Sequence, residues 1–230
     1  MNYSEISKSY NNLPTVFEAN EYLNKHNTKQ IFYELFEIIK KYNLENTVGV
    51  RLLHKHNDIS SNEIMLEKSN FDEDGFALIT QATTISEELT DESYVPNSWQ
   101  LVNGRFIPME FSHKKLLVDS KINPKNYANF FYDFAEILSK FHQEKILSPA
   151  ILASTYVMNY SDIDSIMIEL SALDDRANIL RYTKEYKKID YIETFWSISD
   201  SDTTIKGCQR ICPSVQNPPV HQGTYIHRRS

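Results

Sequence analysis

The fold is decided in residues 93–113, SYVPNSWQLVNGRFIPMEFSH. Asn103 and Gly104 lie between Trp99–Val102 and Arg105–Ile107, and Asn-Gly is the dipeptide best suited to a two-residue turn whose central positions both need positive φ. The stretch therefore predicts a β-hairpin. Upstream, NTVGVRLLHKH (46–56) alternates from Val48 and predicts a strand, with Val48, Val50, Leu52, His54 and His56 on one face. Further strands are expected at Glu63–Lys68 and Phe76–Gln81, separated by the polar stretch SNFDEDG.

Before that strand the apolar period is helical. Residues 15–42 read as two helical pieces, the second carrying Ile31, Leu35, Ile38, Ile39 and Tyr42 at helix spacing, with Thr28 as N-cap and Asn43 as stop. After the hairpin, a long amphipathic helix is expected over 125–143, its broad apolar side formed by Tyr127, Phe130, Phe131, Phe134, Ile137, Leu138 and Phe141. Runs at 150–158, 165–170, 178–182 and 191–198 suggest a second set of strands. Strands without intervening helices point to an antiparallel or mixed sheet rather than a doubly wound one. The expectation is one α+β domain over 1–230, its sheet packed by the N-terminal helical segment and the central helix. Residues 1–13 are expected to be flexible. The last 26 residues hold Pro213, Pro218 and Pro219 and should form no long regular element, folding back on the domain as a Cys/His-rich tail.

Composition narrows the function classes. The chain has 230 residues, 41% of them hydrophobic and 24% charged, which suits a self-sufficient core. A formal charge of −7 argues against a duplex nucleic-acid partner. The five glycines form no phosphate-cradling motif. No apolar run resembles a secretory signal or reaches the ~18 residues of a membrane span. Two cysteines fit a cytoplasmic protein or one exported without a signal peptide. The tail carries Lys206, Arg210, Arg228 and Arg229 and no acid, while Glu87, Glu88, Asp91 and Glu92 cluster upstream, a complementarity that could hold the tail to its domain.

Three constellations could carry chemistry. Cys208, Cys212, His221 and His227 supply the donor types of a tetrahedral zinc site, at an irregular spacing unlike that of a Cys2His2 finger. The same residues also suit free thiols or a small-loop disulfide beside solvated histidines. His54 and His56, two residues apart on a strand, form a chelating pair, or a general base beside its orienting partner; the plainer alternative leaves them at a sheet edge in water. A Cys/His pairing, with Cys208 as nucleophile and a histidine as base, would make a metal-free hydrolase or transferase. Glu110, a carboxylate inside the apolar run Pro108–Phe111, is either a water-facing strand residue or a buried acid with a partner, and is a secondary catalytic candidate.

Leu52–His56, the later Pro96 and Trp99, and Pro108, Glu110 and Phe111 resemble a pattern in uncharacterised, largely fungal proteins with a Cys- and His-bearing C-terminal stretch. Asn57 departs from the aromatic residue of that pattern. The resemblance implies that the histidine pair, the Pro-Trp segment and the tail belong to one site, and implies no activity. The leading expectation is a zinc or other transition-metal site drawn from His54, His56, Cys208, Cys212, His221 and His227. The alternatives are a non-enzymatic protein that binds a protein partner, such as a host-directed bacterial effector, and the metal-free Cys/His enzyme.

Overall fold

A computed structural model describes residues 2–85, 93–161, 165–184, 190–198 and 205–213, the last segment by its backbone. Ten strands close into a barrel in the order β1-β6-β4-β5-β2-β3-β8-β7-β10-β9. They are β1 (Val48–Leu52), β2 (Glu63–Asp72), β3 (Gly75–Thr84), β4 (Tyr94–Val102), β5 (Arg105–His113), β6 (Leu147–Ile151), β7 (Ile166–Ala172), β8 (Ala177–Thr183), β9 (Tyr191–Ile198) and β10 (Ile205–Pro213). Most neighbours are antiparallel, whereas β2–β5 and β7–β10 are parallel. The architecture is thus α+β with one mixed sheet, as the unbroken strand runs predict, and closure leaves no long free edge.

The hairpin forms where Asn103-Gly104 places it: Val102 pairs with Arg105, and the turn residues have φ of 49° and 73°. The β2–β3 hairpin is longer than expected. Its ladder runs through most of SNFDEDG to an Asp72–Gly75 pair, and Gly75 takes a φ of 99° that its missing side chain permits. Residues 150–158 do not form one strand. β6 ends at Ile151, and Thr155–Met158 coil into the short helix α5.

Four helices precede α5. α1 (Tyr3–Asn11) occupies the segment expected to be flexible; it is capped by Asn2 and buries Ile6 and Tyr10, because those residues share the face that meets β2 and β5. α2 (Val16–Asn24) starts at a capping box in which Thr15 and Glu18 satisfy each other's backbone N–H. α3 (Thr28–Lys41) is capped by Asn27, one residue before the expected Thr28, and the chain leaves it through Asn43 at a φ of 54°. α4 (Ala128–Lys140) is the expected central helix, somewhat shorter at both ends. It lies against α3, where Lys41 reaches Asp133 at 2.6 Å and Lys140 reaches Glu34 at 2.6 Å. No helix among the described residues is long and apolar enough to cross a membrane.

The helices identify the outer face of the barrel. Val48, Val50 and Leu52 join Phe32, Leu35, Ile39, Phe130 and Phe134 in one apolar cluster, so that side of β1 faces the helices. Its other side, with Gly49 and Arg51, faces the lumen. Registered neighbours share a face of a sheet, and the registers carry the lumen face around the barrel. Arg51 lies opposite Ser148, Ser98 opposite Glu110, Glu67 opposite both Ser112 and Thr80, Thr80 opposite Asn178, and Asn178 opposite Ser171. This face is therefore polar along the Arg51, Glu110, Glu67 and Asn178 stretch, with Leu78, Leu180 and Met167 forming an apolar cluster on the same face toward one end.

The segment 205–213 departs from expectation. It forms β10, nine residues long, because β7 and β9 each offer it a ladder, and Pro213 stands at its end where the lost N–H costs least. Gly49 marks the opposite seam of the same sheet: a Cβ there would lie 2.5 Å from the Trp196 carbonyl oxygen and 2.7 Å from the Phe195 ring. Gly49→Ala should push β9 off β1 and cost about 2–3 kcal/mol, or roughly 5–10 °C for a chain of this size. Thermal unfolding followed by circular dichroism checks this; an unchanged midpoint would show that the seam has slack.

Candidate metal centre

β1 stops at Leu52, and this overturns the expected orientation of the histidines. With no strand beyond Leu52, the period of two does not reach His54 and His56. The chain turns inward, and the Leu53 N–H bonds to the Ile146 carbonyl at 2.7 Å instead. Both imidazoles thus face away from the Val48, Val50 and Leu52 side and meet Glu169, which β7 directs into the lumen. His54 Nε2 lies 3.7 Å from Glu169 Oε2, and His56 Nε2 lies 3.2 Å from Glu169 Oε1. The ring centroids are 4.7 Å apart. One donor atom from each of the three residues falls within 4.8 Å of the others, a group able to hold a metal ion. All three side chains are buried, at 1–2% exposure.

The remaining ring nitrogens are fixed from behind. His54 Nδ1 lies 2.9 Å from the Leu52 carbonyl oxygen, which can only accept, so this nitrogen carries the proton. His56 Nδ1 lies 2.9 Å from the Ser171 hydroxyl, two residues beyond Glu169 on the same strand and face. An imidazole whose Nδ1–H donates to an oxygen offers Nε2 as the ligand atom, the arrangement that orients histidines in metal centres; the Leu52 carbonyl imposes it on His54, and the Ser171 hydroxyl permits it for His56.

Further charge surrounds the triad. Glu110 is a buried acid with a partner, the Arg51 guanidinium. Glu67 accepts from the Ser112 hydroxyl at 2.8 Å, and Ser112 in turn receives the Asn97 amide at 2.6 Å. Burial opposes the Arg51 charge, yet Glu110 foremost, with Glu169 and Glu67, keeps its pKa above the ordinary value. Burial is also the largest influence on Glu169 and pushes it up. His56, by charge and hydrogen bond, then His54 and Arg51, overcome that push and hold the carboxyl well below the usual carboxylate range.

The loop with the histidines is clamped at the rim. Arg176, in the β7–β8 turn, reaches Glu63 through both terminal nitrogens, at 3.0 and 2.6 Å, and the Asp58 carbonyl at 2.8 Å. Lys55 bonds to the Asn11 carbonyl at 2.6 Å and so ties the loop to α1.

Of the residues singled out in the sequence, His54 and His56 are brought together and Glu110 lies in the same lumen. Cys208 and Cys212 lie on β10, beside the strand that carries Glu169. Cys212 pairs with Ile192 of β9, and Ile211 before it pairs with Ile168, the residue preceding Glu169. His221, His227 and the Glu87–Glu92 acidic cluster lie outside the described residues. Glu169, Arg51 and Ser171 were missed. Glu169 carried the same signal as Glu110, a carboxylate inside an alternating apolar strand, but nothing local names its partners. Searches of family models, curated proteins and solved structures find no match for this chain.

Two outcomes follow. The Arg176 hydrogen bonds, then the Ser60 backbone, lower Glu63 from its ordinary 4.5 to about 2. A carboxyl depressed in the folded state stabilises it above the unfolded value, and that contribution disappears as pH falls from 4.5 toward 2. Arg176→Ala should therefore be less stable than wild type at pH 7 and lose less on acidification through this window; parallel curves of melting temperature against pH would contradict the clamp. Glu110→Leu, which strands the Arg51 charge, should cost about 3–5 kcal/mol in urea unfolding, and Arg51→Met with Glu110→Leu much less. Equal losses would mean that the pair is not energetically coupled.

Proposed function

We propose that this barrel is a metal-binding protein whose His54, His56 and Glu169 hold one divalent transition-metal ion. The observation that carries the reading is the fixed tautomer of His54. Because its Nδ1 donates to the Leu52 carbonyl, a neutral His54 turns the lone pair of Nε2 toward a carboxylate across a buried gap. Two acceptors facing each other in a low-dielectric interior repel unless a proton on Nε2 or a metal cation lies between them, and the metal reading places the cation there.

Charge supports the same reading. Among the described residues, Glu67, Glu110 and Glu169 share the lumen with Arg51, a formal excess of two negative charges that one divalent cation would balance. Two imidazoles and one carboxylate are the donor set of catalytic zinc sites and also of Fe(II) facial triads. Zinc is the first ion to test. Among the described residues the donors number three, and a site of three protein donors leaves a coordination position for an exogenous ligand, which suits a reactive centre better than a purely structural one. Of the residues in the fungal pattern, His54, His56 and Glu110 face one lumen, whereas Trp99 packs in the helix-facing apolar cluster.

A second reading has its own observation. Phe71, Met158 and Tyr160 are 56%, 44% and 41% exposed, and Phe71, Phe76, Tyr156 and Tyr160 form a connected group of rings at the far end of the β2–β3 hairpin. A surface of this kind suits a partner-binding protein whose buried histidines are imidazolium partners of Glu169 and nothing more.

Elemental analysis of protein purified without an affinity tag separates the two. The metal reading expects close to one equivalent of transition metal, or its uptake on zinc addition with a rise in melting temperature. Glu169→Ala and His54→Ala should each weaken the ion by more than the 10–100-fold typical of lost supporting hydrogen bonds. Well under one equivalent after zinc loading, with stability unchanged by chelator, would sink it in favour of the second.

A further inference from the structure

Tyr10 stands where no structural role explains its hydroxyl. It is 0% exposed, the most deeply placed side chain of α1. It belongs to an apolar cluster with Leu53, Ile59 and Met65, and the charges of Glu110, Arg51 and Glu169 act on its hydroxyl. The backbone N–H of His56 faces the phenolic oxygen and, being a donor, cannot accept the O–H hydrogen. Among the described residues no group accepts the O–H hydrogen. A buried hydroxyl left in this way costs about 1–3 kcal/mol. Phenylalanine would fill the same apolar pocket without that cost, and a phenol is protonated and able to donate throughout the neutral range.

The triad offers three donors to an ion, and beside the His56 backbone lies a phenol O–H with no acceptor among the described residues. We propose that Tyr10 is the hydrogen-bond donor to a small oxygen anion, hydroxide or a short carboxylate, bound to the ion held by His54, His56 and Glu169. The inference rests on the metal-binding reading and adds to it a ligand site with a chemical class. It makes α1 part of the centre, carrying its donor from outside the barrel, with Lys55 and Asn11 locking the helix to the histidine loop.

Cobalt(II)-loaded protein tests this, with formate as the probe. Wild type should take up one cobalt per chain, and formate should shift its visible spectrum. Tyr10→Phe should keep the cobalt and bind formate about tenfold to a hundredfold more weakly, the loss expected for one hydrogen bond to a charged acceptor. Equal formate affinity in the variant, or no spectral response in wild type, would overturn the role of Tyr10 and leave the triad standing. Loss of cobalt from a folded Tyr10→Phe would overturn it as well, by making Tyr10 a ligand. Failure of wild type to take cobalt would remove both this inference and the reading beneath it. A measurement independent of the variant's folding is the 19F spectrum of fluorotyrosine-labelled, cobalt-loaded wild type. A buried tyrosine resonance should move on formate addition, and a spectrum without such a shift would count against the proposal.

Discussion

Carboxylates enclosed in a barrel must be neutralised from within, and much of this structure answers to that constraint. Glu67, Glu110 and Glu169 project from β2, β5 and β7 into one lumen. Removing each from water carries a penalty of several kcal/mol that only a nearby positive charge or dense hydrogen bonding offsets. Arg51 answers Glu110, and Ser112 with Asn97 answers Glu67. Glu169 is answered by the histidines, and this requires β1 to end at Leu52 so that the chain can turn into the lumen. The geometry of the centre thus follows from where a strand stops.

The rest of the fold separates two kinds of work. Outside the barrel, the helices and the outer face of the sheet form a large apolar cluster of Val, Leu, Ile, Phe and Trp, which supplies the stability. Inside, an apolar filling of equal volume would serve stability as well or better, since buried ion pairs commonly cost more than they return. A lumen that keeps charge where hydrocarbon would suffice is what the proposed metal centre accounts for. The rim clamps express the same division: Arg176 on Glu63 and Lys55 on Asn11 hold a loop that has little apolar surface of its own to bury.

The sequence was most legible where the signal is local. Asn103-Gly104 dictated its turn, the apolar stripe of residues 128–140 its helix, and Asn43 the end of α3, because each depends on the conformational preferences of a few adjacent residues. The β10 strand was hidden, since a segment with Pro213 and Gly207 becomes a strand only when β7 and β9 stand ready to pair with it. The histidine pair is legible as a chelating motif that points inward, but a period of two assigns it to the Val48, Val50 and Leu52 face, whereas the ladder ends at Leu52 and the rings turn to the lumen. Glu169 lies 113 residues beyond His56, and no spacing rule connects positions that only closure of a ten-stranded barrel brings together. Tyr10 was overlooked for a related reason: its helix was taken for a flexible end, and its importance is set by groups on β1, β5 and β7.

The central claim is that the two histidines and Glu169 enclose a metal ion, and X-ray absorption at the metal edge of the zinc-loaded protein tests it most directly. The account predicts a first shell of nitrogen and oxygen at about 2.0–2.2 Å, with the outer scattering pattern of two imidazole rings. A shell dominated by sulfur at about 2.3 Å would assign the ion to the cysteines and contradict the account, as would a zinc spectrum indistinguishable from that of the hydrated ion.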